Sequence, residues 1–255
     1  MMKVNKKNSS KSFGKTQDLR PTFKEEKKLW KLGYKYIIGV DEVGRGAFAG
    51  PVTVAAVIFP SSLQGYSLSK LTRSILVEVN DSKMLSPKKR EELSPLIKKH
   101  SIYSISTVSV RIINKVGIGK ATEIAFRRSI SSIMKKVLSI DKNSEFLIHN
   151  SRFFLLVDGF HIKYVKGIGL KNQKAIVKGD KKSLSIAAAS IIAKVYRDNI
   201  MIKLSKLYPE YDFDLHKGYG TKLHRDNILE NGVTNLHRTA FCNSFLKNTM
   251  HYHED

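Results

Sequence analysis

Cysteine is nearly absent: Cys242 is the only one among 255 residues. An internal disulfide is therefore excluded, and so is a cysteine-based zinc centre. No run of about 18 apolar residues occurs, which excludes a membrane-spanning helix on sequence grounds. The N-terminus is polar and lysine-rich with no apolar segment behind it, unlike a secretory signal. The eight histidines show no H-E-x-x-H spacing, and no G-x(4)-G-K-[ST] stretch exists to hold a nucleoside triphosphate. No internal repeat is found. A cytoplasmic, non-membrane protein is the expectation. Acidic residues are also scarce, 22 against 45 Lys and Arg.

The resulting net charge of +23 points to a polyanionic partner, nucleic acid first. Residues 1–35 hold eleven Lys and Arg against Asp18, Glu25 and Glu26, yet the rest of the chain is strongly basic too. With 42% hydrophobic residues, the chain is long enough to build a real core.

Residues 1–20 read as a disordered basic arm, and 22–33 as a short helix with Thr22 at its cap and Gly33 at its end. Apolar, β-branched runs predict strands at 36–40, 51–60, 101–110, 153–157 and 175–177. Helices are expected at 86–100, 119–138 and 183–207, the first opened by Ser86-Pro87. A polar linker is expected at 139–151, and a glycine-rich loop, HKGYGTKLH, leads into a short helix. Strands interleaved with helices predict an α/β layered domain.

Asp41 and Glu42 follow a buried strand, Asp158 ends another, and Asp180 follows a probable one. Strand ends are where open α/β sheets place their sites. Oxygen ligands without cysteine suit hard cations such as Mg²⁺ or Mn²⁺. A pair of such ions would suit phosphodiester hydrolysis. The plainer reading is that each acid caps a turn, which for Asp158-Gly159 is the better one taken alone. Gly44-Arg45-Gly46 offers a backbone that tolerates close approach, plus a charge; it reads equally as a turn. Asp81-Ser82-Lys83 reads as a turn before its helix, though Lys83, like Lys194, is a candidate phosphate contact. Tyr219 offers a ring and a hydroxyl to a nucleotide, or packs under its loop. Arg197-Asp198 reads as a structural ion pair, His216, His224 and His237 as loop or surface residues, and Ala187–Ala189 as helix packing.

Five segments in order resemble the bacterial ribonuclease HII family: GVDEVGRGAFAGPV at 39–52, DSKMLS at 81–86, VDG at 157–159, KGDKKSLSIAAASIIAKVYRD at 178–198 and HKGYGTKLH at 216–224. The resemblance implies a ribonuclease H-like fold, a mixed β-sheet flanked by helices with a helical C-terminal part. It implies cleavage of the RNA strand of RNA/DNA hybrids and cleavage 5′ of single ribonucleotides in duplex DNA, leaving 3′-hydroxyl and 5′-phosphate ends. A role in ribonucleotide and RNA-primer removal during replication and repair goes with that activity. By motif match, Asp41, Glu42, Asp158 and Asp180 would be the catalytic, metal-binding carboxylates, the fourth falling on Asp180 rather than Asp198. Gly44, Arg45, Gly46 and Tyr219 would sense the 2′-hydroxyl, and Lys83, Ser190 and Lys194 would lie near the substrate backbone. The implied organisation is a basic arm (1–20), a short helical extension (21–35), a catalytic domain (36–207) and a C-terminal helical part carrying the substrate-contact loop (208–255). GRG favours type HII over its sister type HIII. A type HIII-like hybrid-specific enzyme and a noncatalytic nucleic-acid-binding protein are the alternatives. No C-terminal sliding-clamp motif stands out, and a monomer is the default. Asp212 stands where the family has glycine.

Overall fold

The computed structural model describes residues 20–60, 78–140 and 152–250. The expected basic arm, apart from Arg20, and most of the expected 139–151 linker lie outside these residues.

Five strands form one sheet: β1 (Tyr36–Val43), β2 (Val52–Ile58), β3 (Ile102–Val108), β4 (Phe153–Asp158) and β5 (Gln173–Ile176), in the order β3-β2-β1-β4-β5. β1 pairs antiparallel with β2 and parallel with β4; β2–β3 is antiparallel and β4–β5 parallel. The sheet is therefore mixed, as expected. The helices are α1 (Lys24–Lys31), α2 (Pro87–Lys99), α3 (Val110–Val116), α4 (Ile118–Ile140), α5 (Leu184–Leu207), α6 (Phe213–His216), α7 (Lys222–Asn231) and α8 (Thr239–Met250).

Alternation along the strands sorts the core into two layers. Ile38, Val40, Val54, Ala56, Leu155 and Val157 pack on one face against Ala121, Ala125, Phe126 and Ile130 of α4. On the other face, Ala55 and Val57 meet Ala187–Ala189, Ile191 and Ile192 of α5, with Leu93 and Ile97 of α2 behind. The small residues of α5 are thus packing residues, as read from the sequence. They let the helix lie so close to β1 that a Cβ at Gly39 would overlap the Ser185 backbone. Because backbone rather than a flexible side chain would have to give way, Gly39→Ala should destabilise the protein by about 3 kcal/mol or more. Denaturant unfolding would measure it.

Local signals place the helix ends. Ser86 caps α2, its hydroxyl accepting from Lys89 N. Ser183 caps α5 likewise, accepting from Ile186 N. Thr22 is not the cap of α1: Phe23 holds that position without a side-chain bond. Helix α3, read as the end of a strand and the residues after it, is separated from α4 by Gly117 at φ +80. Strand β1 extends three residues past its expected end, because β2 keeps pairing with it through Val43↔Thr53. That extension carries Asp41 and Glu42 into the ladder.

Candidate active site

Strand register builds the site. Val40 lies opposite Val157 in the parallel β1–β4 pair, so Asp41 and Asp158, one residue on, stand side by side. Both project to the α5 face, opposite to Val40 and Val157. Asp158 pairs with Ile176 of β5. The chain then turns through Lys178 in a left-handed conformation, φ +55, and returns Gly179 N to Asp158 Oδ1 at 2.7 Å. Asp180 follows, buried at 6% exposure. Asp41 is buried at 7%; its Oδ1 accepts from Glu42 N at 2.8 Å. Of the four acids named from the sequence, Asp41, Glu42 and Asp158 therefore act on one another electrostatically, and Asp180 joins them through Asp158.

Burial raises the Asp41 carboxyl well above its usual range, and the Glu42 and Asp158 charges add to it, against a hydrogen bond from Ser190. Glu42 is raised by burial and by Asp158, while Arg45, whose Nη1 is 3.9 Å away, pulls it down. Asp180 is raised to about 6, by burial first and then by Asp81 and Asp158. Burial and mutual repulsion thus outweigh the cations that face these acids.

Asp81, set aside in the sequence as part of a turn, belongs to this group. It is buried and hydrogen-bonds Asp180. Its Oδ1 accepts from Lys83 N at 2.9 Å, and Oδ2 lies 3.6 Å from Lys181 Nζ. Ser82 Oγ is 2.8 Å from Ser190 Oγ, and Ser190 in turn bonds Asp41. A polar chain therefore ties the 81–83 turn through α5 to β1. The DSK motif was the available signal. Lys83 is exposed, and its charge bears on Glu42 and Asp180.

Among the described residues no three His, Cys, Asp or Glu side chains close around one point as a metal cage. The acids form an open set instead. Its donors are all carboxylate oxygens, which match a hard divalent cation and no soft one. The raised carboxyls are the specific observation that fits such an ion, because a bound cation offsets their mutual repulsion.

Beside the acids, Gly44 sits at φ +84 against the Arg197 side chain, leaving no room for a Cβ. Arg45 and Gly46 are exposed; Arg45 lies over the Phe160 ring at 5.6 Å. Ala47 bridges to Tyr219 and Ala49 to His237, so residues 47–50, just after the turn, lie between two C-terminal segments. The Tyr219 ring is half-buried under Lys194 and Arg197, at 5.7 and 5.3 Å. Asp212 takes the left-handed φ +50, a conformation that glycine adopts without strain; Asn227 Nδ2 donates to its Oδ2 at 3.2 Å.

Two sequence readings are corrected. Arg197 does not pair with Asp198: it donates to the carbonyls of Pro51, Lys217 and Ala49 at 2.9–3.1 Å. Asp198 is bound instead by Lys194 Nζ at 2.8 Å. Adjacent helical side chains diverge, whereas i,i+4 neighbours meet. His216, His224 and His237 are not surface residues but are buried, with His216 and His224 stacked at 4.3 Å. Burial pushes His224 and His237 down to about 4. An imidazole lowered in the native state leaves the unfolded chain binding more protons between about pH 6.5 and 4, so this contribution is full above pH 6.5 and lost as pH falls toward 4. The raised carboxyls act in the opposite sense. The histidine part is therefore read as a difference: from pH 7 to 5, wild type should lose about 2 kcal/mol more stability than His237→Gln, measured by denaturant unfolding.

A family model described as ribonuclease HII matches residues 38–244. A curated ribonuclease HII from Caldicellulosiruptor saccharolyticus is 43% identical, covering 88% of this chain and 96% of that one. One from Clostridium perfringens is 41% identical over 96% of this chain and 85% of its own length. Among solved structures, Bst ribonuclease HIII in complex with Mn²⁺ aligns with a TM-score of 0.63 at 19% identity, covering 86% of this chain and 71% of that one. Ribonuclease H2 from Pyrococcus horikoshii aligns at 0.59 and 22%, covering 84% and 98%. At these identities the structural likeness establishes the fold.

Proposed function

This chain belongs to the ribonuclease HII family, whose members are hydrolytic endoribonucleases, and from that premise we propose that it cuts the RNA strand of RNA/DNA hybrids and 5′ of single ribonucleotides in duplex DNA. The products would carry 3′-hydroxyl and 5′-phosphate ends. Its cellular work would be ribonucleotide and RNA-primer removal, carried out in the cytoplasm by a monomer. Residues 36–207 would form the catalytic part and 208–255 would carry the contact loop.

The observation that carries this reading is the meeting of four acids from β1, β4 and the turn after β5 within a chain of net charge +23. Asp41, Glu42, Asp158 and Asp180 would hold Mg²⁺ or Mn²⁺, two ions in the fullest form. Such ions supply an activated water and neutralise charge on the transferring phosphoryl group. The protein's own part is to fix the acids through strand register and the Ser82–Ser190 chain, and to set cations along the phosphodiester. Lys83 and Lys194 would face the developing phosphoryl charge. Cys242 is no nucleophile: burial raises its thiol to about 11, far from a thiolate at neutral pH. Gly44, Arg45, Gly46 and Tyr219 would read the 2′-hydroxyl and adjoining backbone.

The test is a labelled DNA duplex carrying one ribonucleotide, beside an RNA/DNA hybrid, each with Mg²⁺, Mn²⁺ or EDTA. Metal-dependent cutting 5′ of the ribonucleotide is expected. Cutting of the hybrid alone would replace this reading with a hybrid-specific one. Salt-sensitive binding without cutting of either would leave a binding protein.

A further inference from the structure

Hydrogen bonds at the three buried histidines permit one assignment of protons: His237 and His224 bond each other, and His216 stacks on His224. Gly218 N donates to His216 Nδ1 at 3.1 Å, so His216 carries its proton on Nε2, which reaches Tyr211 O at 2.8 Å. Thr234 N donates to His237 Nδ1 at 2.9 Å, which leaves the His237 proton on Nε2. That nitrogen lies 3.3 Å from His224 Nε2. His224 must then accept on Nε2 and carry its own proton on Nδ1, where it donates to Tyr219 O at 3.0 Å. A carbonyl only accepts, so the direction along Thr234, His237, His224 and Tyr219 is the same at every link. All three rings are uncharged in this arrangement, in keeping with their burial.

The same residues hold the segment that directly follows the glycine-arginine-glycine turn. Tyr219 bridges Ala47 and His237 bridges Ala49. Gly218 O accepts from Phe48 N and Ala49 N, at 2.8 and 3.1 Å. The His224 side chain thus bonds both flanking segments, through Tyr219 O and the His237 ring.

We propose that His224 is a positioning residue for cleavage: by donating to Tyr219 O and accepting from His237 it holds the Tyr219 ring in register with Gly44–Gly46. This rests on the reading of Tyr219 as a substrate contact. His224 does not reach the substrate and acts only through Tyr219.

Two amides separate its two bonds. The shorter Asn places an N–H near the Nδ1 position and keeps the bond to Tyr219 O. The longer Gln reaches the Nε2 position and keeps only the link to His237. On the single-ribonucleotide duplex, His224→Gln should lower kcat/KM about 10–100-fold, the scale of a slight misplacement. His224→Asn should stay within about threefold of wild type. In a Tyr219→Ala background, His224→Gln should cost less than about threefold more, because both changes then act on one contact. In folded proteins, equal losses for Asn and Gln, or losses that multiply with Tyr219→Ala, would overturn the proposal. If Tyr219→Ala itself leaves kcat/KM unchanged, the substrate-contact reading fails and the proposal with it. The unmodified protein gives a check independent of folding of the variants. Histidine ring ¹H–¹⁵N correlation at pH 7 should show one ring protonated on Nδ1, His224, and His216 and His237 on Nε2. A charged or Nε2-protonated His224 overturns the assignment.

Discussion

Asp41→Asn should lower cleavage by about 10³-fold or more while making the metal-free protein more stable by about 1–2 kcal/mol. The two effects have opposite signs for one reason. Asp41 is buried beside Glu42 and Asp158, and burial raises its carboxyl well above the ordinary range. The native state therefore solvates the ionised form of this side chain poorly. Asparagine keeps the shape and can still accept from Glu42 N, but it removes that charge and a ligand for a divalent cation. A residue kept for packing would lose stability on this change, and a residue kept for chemistry gains it. The checks are kcat with Mg²⁺ or Mn²⁺, and denaturant midpoints in EDTA. Affinity for the uncut duplex in EDTA should stay level or improve, since a negative charge near the phosphates is lost. Retained cleavage would take Asp41 out of the site.

The second large effect concerns stability. Arg238 is fully buried. Its Nε and Nη2 donate to Gly50 O at 3.0 and 2.8 Å, and its Nη1 donates to Arg45 O at 2.9 Å. Burial and the neighbouring Arg197 lower its pKa to about 9, which still leaves the guanidinium charged at pH 7. Arg238→Met should cost about 4 kcal/mol or more, because the Gly50 and Arg45 carbonyls lose their partner in a dry interior. For a chain of this length that is a fall of about 10 °C in Tm. Arg238→Lys should recover little of it, since one ammonium cannot span carbonyls that a planar fork reaches together. Activity should fall as well, because Arg45 O belongs to the turn beside the acids. A thermal shift under about 3 °C for Arg238→Met would contradict this account.

Much of this was legible from the chain alone where the determinants are local. Ser86 and Ser183 cap their helices because a hydroxyl in that position reaches the free N–H groups of the first turn. The Asp41-Glu42 and Asp158 positions were visible because each ends an apolar run, whereas Asp180 was singled out over Asp198 by the KGD motif of the family resemblance. Where the sequence reading failed, contacts distant in the chain decided. Asp198 looked like a partner for Arg197 only in the linear string; helical spacing hands it to Lys194. The polar HKGYGTKLH segment looked exposed, but Tyr211, Phe213 and Phe48 pack rings around His216, His224 and His237. Asp81 looked like a turn residue until the 81–83 segment was laid against α5.

By itself, the sequence determined the alternation that separates the two core layers, the small residues that let α5 approach β1, the basic charge, and the motifs of a ribonuclease HII. Each is a property of residue type and short-range spacing. The tertiary structure decided which acids share one field, which arginines are spent on backbone carbonyls rather than substrate, and that His237 and His224 form a neutral, directional hydrogen-bond chain with His216 stacked on it. Those outcomes depend on desolvation and on register between segments over a hundred residues apart. Neither is written in any local window.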